Sequence, residues 1–375
     1  MTRPGTSPGR VDEIVGTRPG TPVSREEGRW KNASKRGKLQ RGHADRGCDP
    51  LADASGVPSA VNGNTNRNEI ESSTRMTAQN DRWPALRALR PHQWVKNSLI
   101  FAPLLLAHDI ADPDRLIATV LGFLSFCAVA SGAYLINDIL DLEADRLHPR
   151  KRNRPFAAGT LPISTGVVMA VALAVGGFAV SVAFLSPLFT GMLALYLVLT
   201  LLYSVYLKER LFLDVLLLAA LYTQRVLAGG AVAEVPISPW LLAFSVFFFL
   251  SLAFVKRYVE LLGAQSAEAS VLARRAYRVD DLGLVETMGI ASGYLSVLVL
   301  GLYVSSEDVT RLYSAPTLLW LITPIMLYWI SRIWFLARRG SLHDDPVLFA
   351  ATDLQSYVCG ALVVMVGAIS AVTTG

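Results

Sequence analysis

A chain of 375 residues that is 52% hydrophobic and 17% charged, with mean hydropathy +0.39, lies outside the range of soluble domains. Its net charge of +5 sits mainly in loops between apolar runs, which points to a membrane and to anionic ligands and excludes a nucleic-acid partner. Cys48, Cys127 and Cys359 form neither a metal-ligand spacing nor a disulfide framework.

Residues 1–80 are rich in Gly, Arg, Ser, Asn and Pro and nearly devoid of long apolar side chains, which predicts a disordered basic tail without a secretory signal. Met76 is the expected start, leaving the residues before it untranslated or dispensable; a genuine tail on an anionic leaflet is the other reading. Residues 81–375 are expected to form one membrane domain. At its start, Asp81–Lys96 reads as an amphipathic surface helix, with Trp83, Leu86, Leu89 and Trp94 in the interface and Arg82, Arg87 and Arg90 toward water.

Nine apolar runs then follow, each long enough to cross a bilayer: Trp94–Ile110, Arg115–Ile139, Ile163–Phe184, Leu188–Leu207, Leu211–Ala231, Pro239–Leu262, Leu284–Val304, Ala315–Leu336 and Thr352–Val372. They lack barrel alternation, so they are predicted helices. Arg146–Arg154, Lys208, Arg210, Lys256–Arg278, Arg338 and Arg339 load one set of loops with cations. Asp109, Asp112, Asp114, Glu234, Glu307 and Asp308 fall in the other set. The positive-inside rule places the N-terminus and the basic loops in the cytoplasm, in an inner-membrane, multi-pass protein.

Lys96 opens the first run. It is read equally as a snorkelling lysine or as a cation turned into the bundle. The second run ends in Asn137-Asp138-Ile139-Leu140-Asp141-Leu142-Glu143-Ala144-Asp145. Four-residue spacing puts Asn137, Asp141 and Asp145 on one helix face, where stacked acids at a membrane edge call for a cation. Hard oxygen ligands suit Mg²⁺, which keeps waters and shares coordination with phosphates. Asp138 projects about a quarter-turn away and is read as a ligand, as a partner behind the ligands or as a helix-end charge. The run His148-Pro149-Arg150-Lys151-Arg152-Asn153-Arg154-Pro155 follows directly. Its Lys151 and Arg154 are phosphate candidates, against a purely topological role; His148 is either an acid–base group or an ordinary loop residue.

Lys208 closes the fourth run as a terminal charge. Arg225, well inside the fifth, requires a polar cavity, and Gly229-Gly230 beside it permits close helix packing. Lys256 and Glu260, one turn apart at the end of the sixth run, are spaced to pair. The later Arg274-Arg275-Ala276-Tyr277-Arg278 is either an anion-binding cap or a topology signal.

Together these residues resemble the UbiA-type membrane prenyltransferase superfamily, chiefly through Asn137, Asp138, Asp141 and Asp145 as an Asn-Asp-x-x-Asp-x-x-x-Asp motif, with likeness from Arg90 onward. The resemblance implies an all-α, nine-transmembrane-helix bundle with a cytoplasmic-facing polar cavity. Ordinary members carry a second Asp-rich motif after the sixth span; here Lys256-Arg257-Tyr258-Val259-Glu260 stands there instead. With Arg90-Pro91-x-Gln93-Trp94-Val95-Lys96-Asn97 and Tyr203-Ser204-x-x-Leu207-Lys208, this is similar to the decaprenyl-phosphate phosphoribosyltransferase branch. That branch implies a phosphoribosyl diphosphate donor, a polyprenyl phosphate acceptor and Mg²⁺. It further implies Asn137 and Asp141 as the foremost metal ligands, with Asp138 and Asp145 completing the motif. Lys96, Tyr134, Lys208 and Arg225 would meet donor phosphates and ribose, and Lys151, Arg154, Lys256 and Arg257 either substrate's phosphate. Asn137, Asp141, Lys208 and Arg225 are the expected catalytic set. An aromatic prenyltransferase and a non-catalytic lipid-phosphate carrier are the alternatives, and a homo-oligomer is left open.

Overall fold

The computed structural model describes residues 83–147, 151–266, 276–307, 309, 313–342 and 345–372. The tail with Met76, His148, Arg274 and Arg275 lie outside the described residues. A short helix α1 (Pro84–Ala88) leads into a 3₁₀ segment (Pro91–Phe101) and α2 (Ala102–Leu106). Then come α3 (Pro113–Leu140), α4 (Leu142–Leu147), α5 (Ile163–Phe184), α6 (Pro187–Val205), α7 (Leu213–Ala233) and α8 (Pro239–Ser266). The chain closes with α9 (Leu282–Val304), α10 (Ile322–Arg338), the short α11 (Pro346–Ala350) and α12 (Leu354–Val372). No strand element occurs among the described residues.

Prolines in the first turn and polar caps set the starts. Asp112 accepts from the backbone of Asp114 and Arg115 before Pro113, and Ser186 accepts from Phe189 at the start of α6. The long helices invert the soluble pattern. On α5, Val168, Val171, Val175 and Val182 point outward at helical spacing, while Gly166, Ala170, Gly177 and Ser181 are buried. Lipid solvates the large side chains, and small residues let the backbones approach.

Among the described residues, eight helices, counting short 3₁₀ extensions, are long and apolar enough to cross a membrane. The expected ninth span, Trp94–Ile110, is not a regular α-helix. Its first part is an 11-residue 3₁₀ stretch, continued by a 5-residue helix. At about 2.0 Å per residue in 3₁₀ form and about 1.5 Å in α form, Pro91–Leu106 still reaches about 30 Å, close to a bilayer core. The tighter winding buries Lys96, Asn97 and Ile100 against the bundle.

Helix α7 is the spine. Val215, Ala219, Tyr222 and Val226 join the apolar cluster formed with α8, α9 and α10. Leu221, Ala228, Ala231 and Val232 join a second cluster with the 3₁₀ segment, α3 and α6. The backbone of the 3₁₀ segment crosses α7 at Gly229, where a Cβ would stand 2.2 Å from the Ile100 carbonyl oxygen. This spine carries Asp214, Tyr222 and Arg225 into the interior together.

Candidate functional site

The helical path runs through the acidic motif with little interruption. Asp141 caps α3 and donates its N–H to the Asn137 carbonyl at 3.0 Å; the Asp145 N–H donates to the Asp141 carbonyl at 2.8 Å. The side chains nevertheless divide into two sets. Lys208, in the 3₁₀ turn Leu207–Glu209 before α7, donates to Asp141 Oδ1 at 2.6 Å. Asp138 and Asp145, two turns apart and both buried, turn to another side. There Arg154 donates to Asp138 at 3.1 Å and to Asp145 at 2.5 Å, and Arg90 donates to Asp138 as well. Arg90 takes a left-handed backbone (φ 54°) and lies 5.6 Å from the Tyr134 ring centroid.

The expected stack of Asn137, Asp141 and Asp145 around one cation is therefore not what the bundle builds. Among the described residues no three His, Cys, Asp or Glu side chains gather as a metal cluster. Asp145 and Asp138 are paired to arginines because the loop after α4 folds Arg154 back between them. Asn137 and Asp141, the latter paired with Lys208, stand one helical turn apart as hard-oxygen donors. That small set fits an ion such as Mg²⁺, which takes most of its ligands from water and phosphate. Arg154 makes both carboxylate contacts through Nη1, and its side chain stays 25% exposed. Lys151 lies exposed in the turn Lys151–Asn153.

A second group of charges lies deeper. Lys96 donates to Asp345 Oδ2 at 2.5 Å, and Lys256 reaches the same oxygen at 3.5 Å. The Tyr222 hydroxyl donates to Asp345 at 3.2 Å. Lys96 Nζ and Arg225 Cζ lie 5.8 and 5.7 Å from the Tyr222 ring centroid. Arg225 has a partner at each guanidinium nitrogen: it donates to Asn97 Oδ1 at 2.9 Å, to the Leu221 carbonyl and to the Tyr196 hydroxyl at 3.2 Å. The polar cavity required by Arg225 is thus an aromatic and amide cage, with Tyr196 and Phe126 also against its plane. Lys96 turns inward, which decides between its two readings.

Asp345 was not singled out in the sequence. Its signal was faint: an acid directly before Pro346, the pattern of an N-cap, in a linker entered through Arg338 and Arg339. It does cap α11, accepting from the Val347 N–H at 3.0 Å. Burial alone would raise its carboxyl pKa, but the Lys96 and Lys256 ammonium groups outweigh this and hold it well below the usual carboxylate range.

Arg257 departs from expectation. It is 0% exposed, paired with Asp214 and Glu260, and 5.5 Å from the Tyr277 ring centroid. Tyr277 in turn accepts from the Phe212 N–H at 3.2 Å, and burial followed by the nearby Asp214 raises its phenol. Arg257 therefore locks the start of α7 to the loop before α9 and has no surface to offer a phosphate. Its neighbour Lys256, with its side chain 31% exposed, does.

The model of the UbiA prenyltransferase family matches residues 98–370. The chain belongs to the UbiA prenyltransferase family. As a UbiA-family protein with eight helices among the described residues long and apolar enough for a bilayer, it is a multi-pass membrane protein. Among relatives, it is 40% identical to protein y4nM of Sinorhizobium fredii over 74% of this chain and 54% of that one. It therefore spans about half the length of that relative. It is 37% identical to nodulation protein NoeC of Azorhizobium caulinodans, over 72% of this chain and 88% of NoeC. The decaprenyl-phosphate phosphoribosyltransferase of Mycolicibacterium smegmatis is 36% identical over 60% of this chain and 70% of its own. In fold, it is similar to a UbiA homolog from Archaeoglobus fulgidus solved with GPP and Mg²⁺, with TM-score 0.58 and 15% identity over 76% of this chain and 99% of that one.

Proposed function

We propose that this UbiA-family protein transfers the 5-phosphoribosyl group of phosphoribosyl diphosphate to a polyprenyl phosphate, releasing pyrophosphate. The observation that carries the reading is Lys256 together with Lys96 and Arg225. Cations occupy the place after the sixth predicted span where ordinary members carry acids for a second metal contact. Similarity to decaprenyl-phosphate phosphoribosyltransferases supports the same donor. The active face is taken as cytoplasmic, in the inner membrane.

In this reaction an oxygen of the lipid phosphate forms a bond to the anomeric carbon of ribose as the carbon–oxygen bond to the diphosphate breaks. The electron pair leaves with pyrophosphate. The acceptor is already anionic near neutral pH, so no strong general base is needed. The protein's task is to bring two polyanions together and to stabilise the departing charge. Lys96 and Lys256 meet diphosphate oxygens, and Lys151 approaches the acceptor phosphate from the loop after α4. Arg225 and Tyr134 wall the ribose side. Asn137 and Asp141 would hold Mg²⁺, with Lys208 fixing the Asp141 carboxylate. When bound, that ion supplies positive charge to the leaving diphosphate.

The test uses membranes containing the expressed chain, labelled phosphoribosyl diphosphate and a polyprenyl phosphate, with and without Mg²⁺. Mg²⁺-dependent appearance of label in lipid, with pyrophosphate release, is expected. Prenylation of 4-hydroxybenzoate from geranyl or farnesyl diphosphate, without pyrophosphate release from the ribosyl donor, would establish an aromatic prenyltransferase instead.

A further inference from the structure

Asp345 is out of place in a pocket for phosphates. It is a buried carboxylate among cations, and it would repel the diphosphate that the pocket is read as binding. Its position is nonetheless tightly specified. The cap to Val347 anchors it on the backbone of α11, and Tyr222 donates to it from α7. Lys96 approaches from the 3₁₀ segment and Lys256 from α8, so four separate elements meet at one side chain.

The two lysines explain what the carboxylate does. Both ammonium groups reach the same oxygen, Asp345 Oδ2, at 2.5 and 3.5 Å. Like charges brought that close repel unless a counter-charge lies between them. Lys96 has its side chain only 10% exposed, and a buried ammonium without a partner is strongly unfavourable. Loss of the carboxylate would leave Lys96 either to turn away or to shed its proton, and either outcome removes a cation from the pocket. The access is asymmetric: the Lys256 side chain is 31% exposed and that of Asp345 is 7% exposed. An incoming anion therefore meets Lys256 first, with Lys96 and the carboxylate deeper.

We infer that Asp345 is a positioning residue of the anion site, gathering Lys96 and Lys256 into one pair that binds the diphosphate of the donor. It acts through the lysines and does not touch the donor. The inference rests on reading this pocket as the diphosphate site, and a diphosphate is common to ribosyl and prenyl donors.

The probe is inorganic pyrophosphate, titrated calorimetrically with Mg²⁺ into the full chain in detergent micelles. Asp345→Asn is expected to weaken pyrophosphate binding at least about tenfold, in line with loss of one charge-assisted contact. Asp345→Glu, which keeps the charge, should stay within about threefold of the wild type. Lys96→Ala with Asp345→Ala removes both halves of the most buried pair; Lys256 loses Asp345 as well, but its side chain is 31% exposed and reaches water. That double variant should bind within about threefold of Lys96→Ala alone, because once Lys96 is gone there is no lysine pair left for Asp345 to gather. Tighter binding by the double variant than by Lys96→Ala would make the carboxylate a mere repellent and overturn the inference. So would Asp345→Asn with a lowered melting temperature but unchanged pyrophosphate affinity. Turnover enters none of these measurements, so failure of the ribosyl-donor reading and failure of this inference are separately visible.

Discussion

Lys208 donates to the Asp141 carboxylate at 2.6 Å, joining the end of α3 to the turn before α7. The ammonium is buried, so this contact fixes one acid of the motif in a single orientation beside Asn137. Asp141→Asn keeps the volume and removes the charge that a divalent cation needs. It should still insert but unfold at a lower temperature, because the buried Lys208 ammonium loses this counter-charge, and it should lose at least about a hundredfold in transfer of labelled ribosyl phosphate. Undiminished turnover by purified Asp141→Asn would remove this residue from the site.

Two adjacent residues on α8 should behave oppositely. Arg257→Ala leaves Asp214 buried without its partner and should cost about 3–5 kcal/mol of stability, read as a large fall in thermal unfolding temperature in detergent. Replacing both partners, Arg257→Met with Asp214→Leu, should recover most of that loss. Lys256→Ala should unfold near the wild-type temperature and raise the donor KM about tenfold, as expected for one charge-assisted contact. A Lys256→Ala protein with wild-type KM would place the donor elsewhere.

Folding depresses the Asp345 carboxyl below its ordinary value, through Lys96 and Lys256 acting against burial. Such a group contributes stability that is fully present above its unfolded pKa, about 3.9, and is lost as pH falls toward its folded value. Wild-type protein should therefore lose thermal stability progressively as pH falls below about 4. Asp345→Asn should show a visibly shallower decline over that range. Parallel curves for the two proteins would show that this carboxyl is not coupled to folding.

Gly229 lies where the 3₁₀ segment crosses α7, with the Ile100 carbonyl oxygen 2.2 Å from the site of a Cβ. Gly229→Ala must push that backbone away and should cost about 1–3 kcal/mol by overpacking. The same shift moves Lys96 and Asn97, so transfer activity should fall together with thermal stability. A variant with wild-type melting and activity would mean that the crossing can relax at no cost.

The sequence alone was enough for the all-helical membrane class. An apolar run must bond its own backbone in lipid, and its length can be counted without knowing its neighbours. Four-residue spacing, a local property of a helix, grouped Asn137, Asp141 and Asp145 on one face, but it could not show that Arg154 would pair with Asp145. The need of Arg225 for a polar cavity was legible for a similar reason, because the cost of a charge in an apolar helix does not depend on tertiary detail. What the tertiary structure decided was which charges meet. Asp345 and Lys96 are 249 residues apart and touch at 2.5 Å, a contact no periodicity reports. The pairing of Asp138 and Asp145 with Arg154, the complete burial of Arg257, and the 3₁₀ winding before α2 each depend on how close neighbouring backbones come. Charges in a low-dielectric interior choose partners by distance in space, and that distance exists only once α7 and its neighbours have packed.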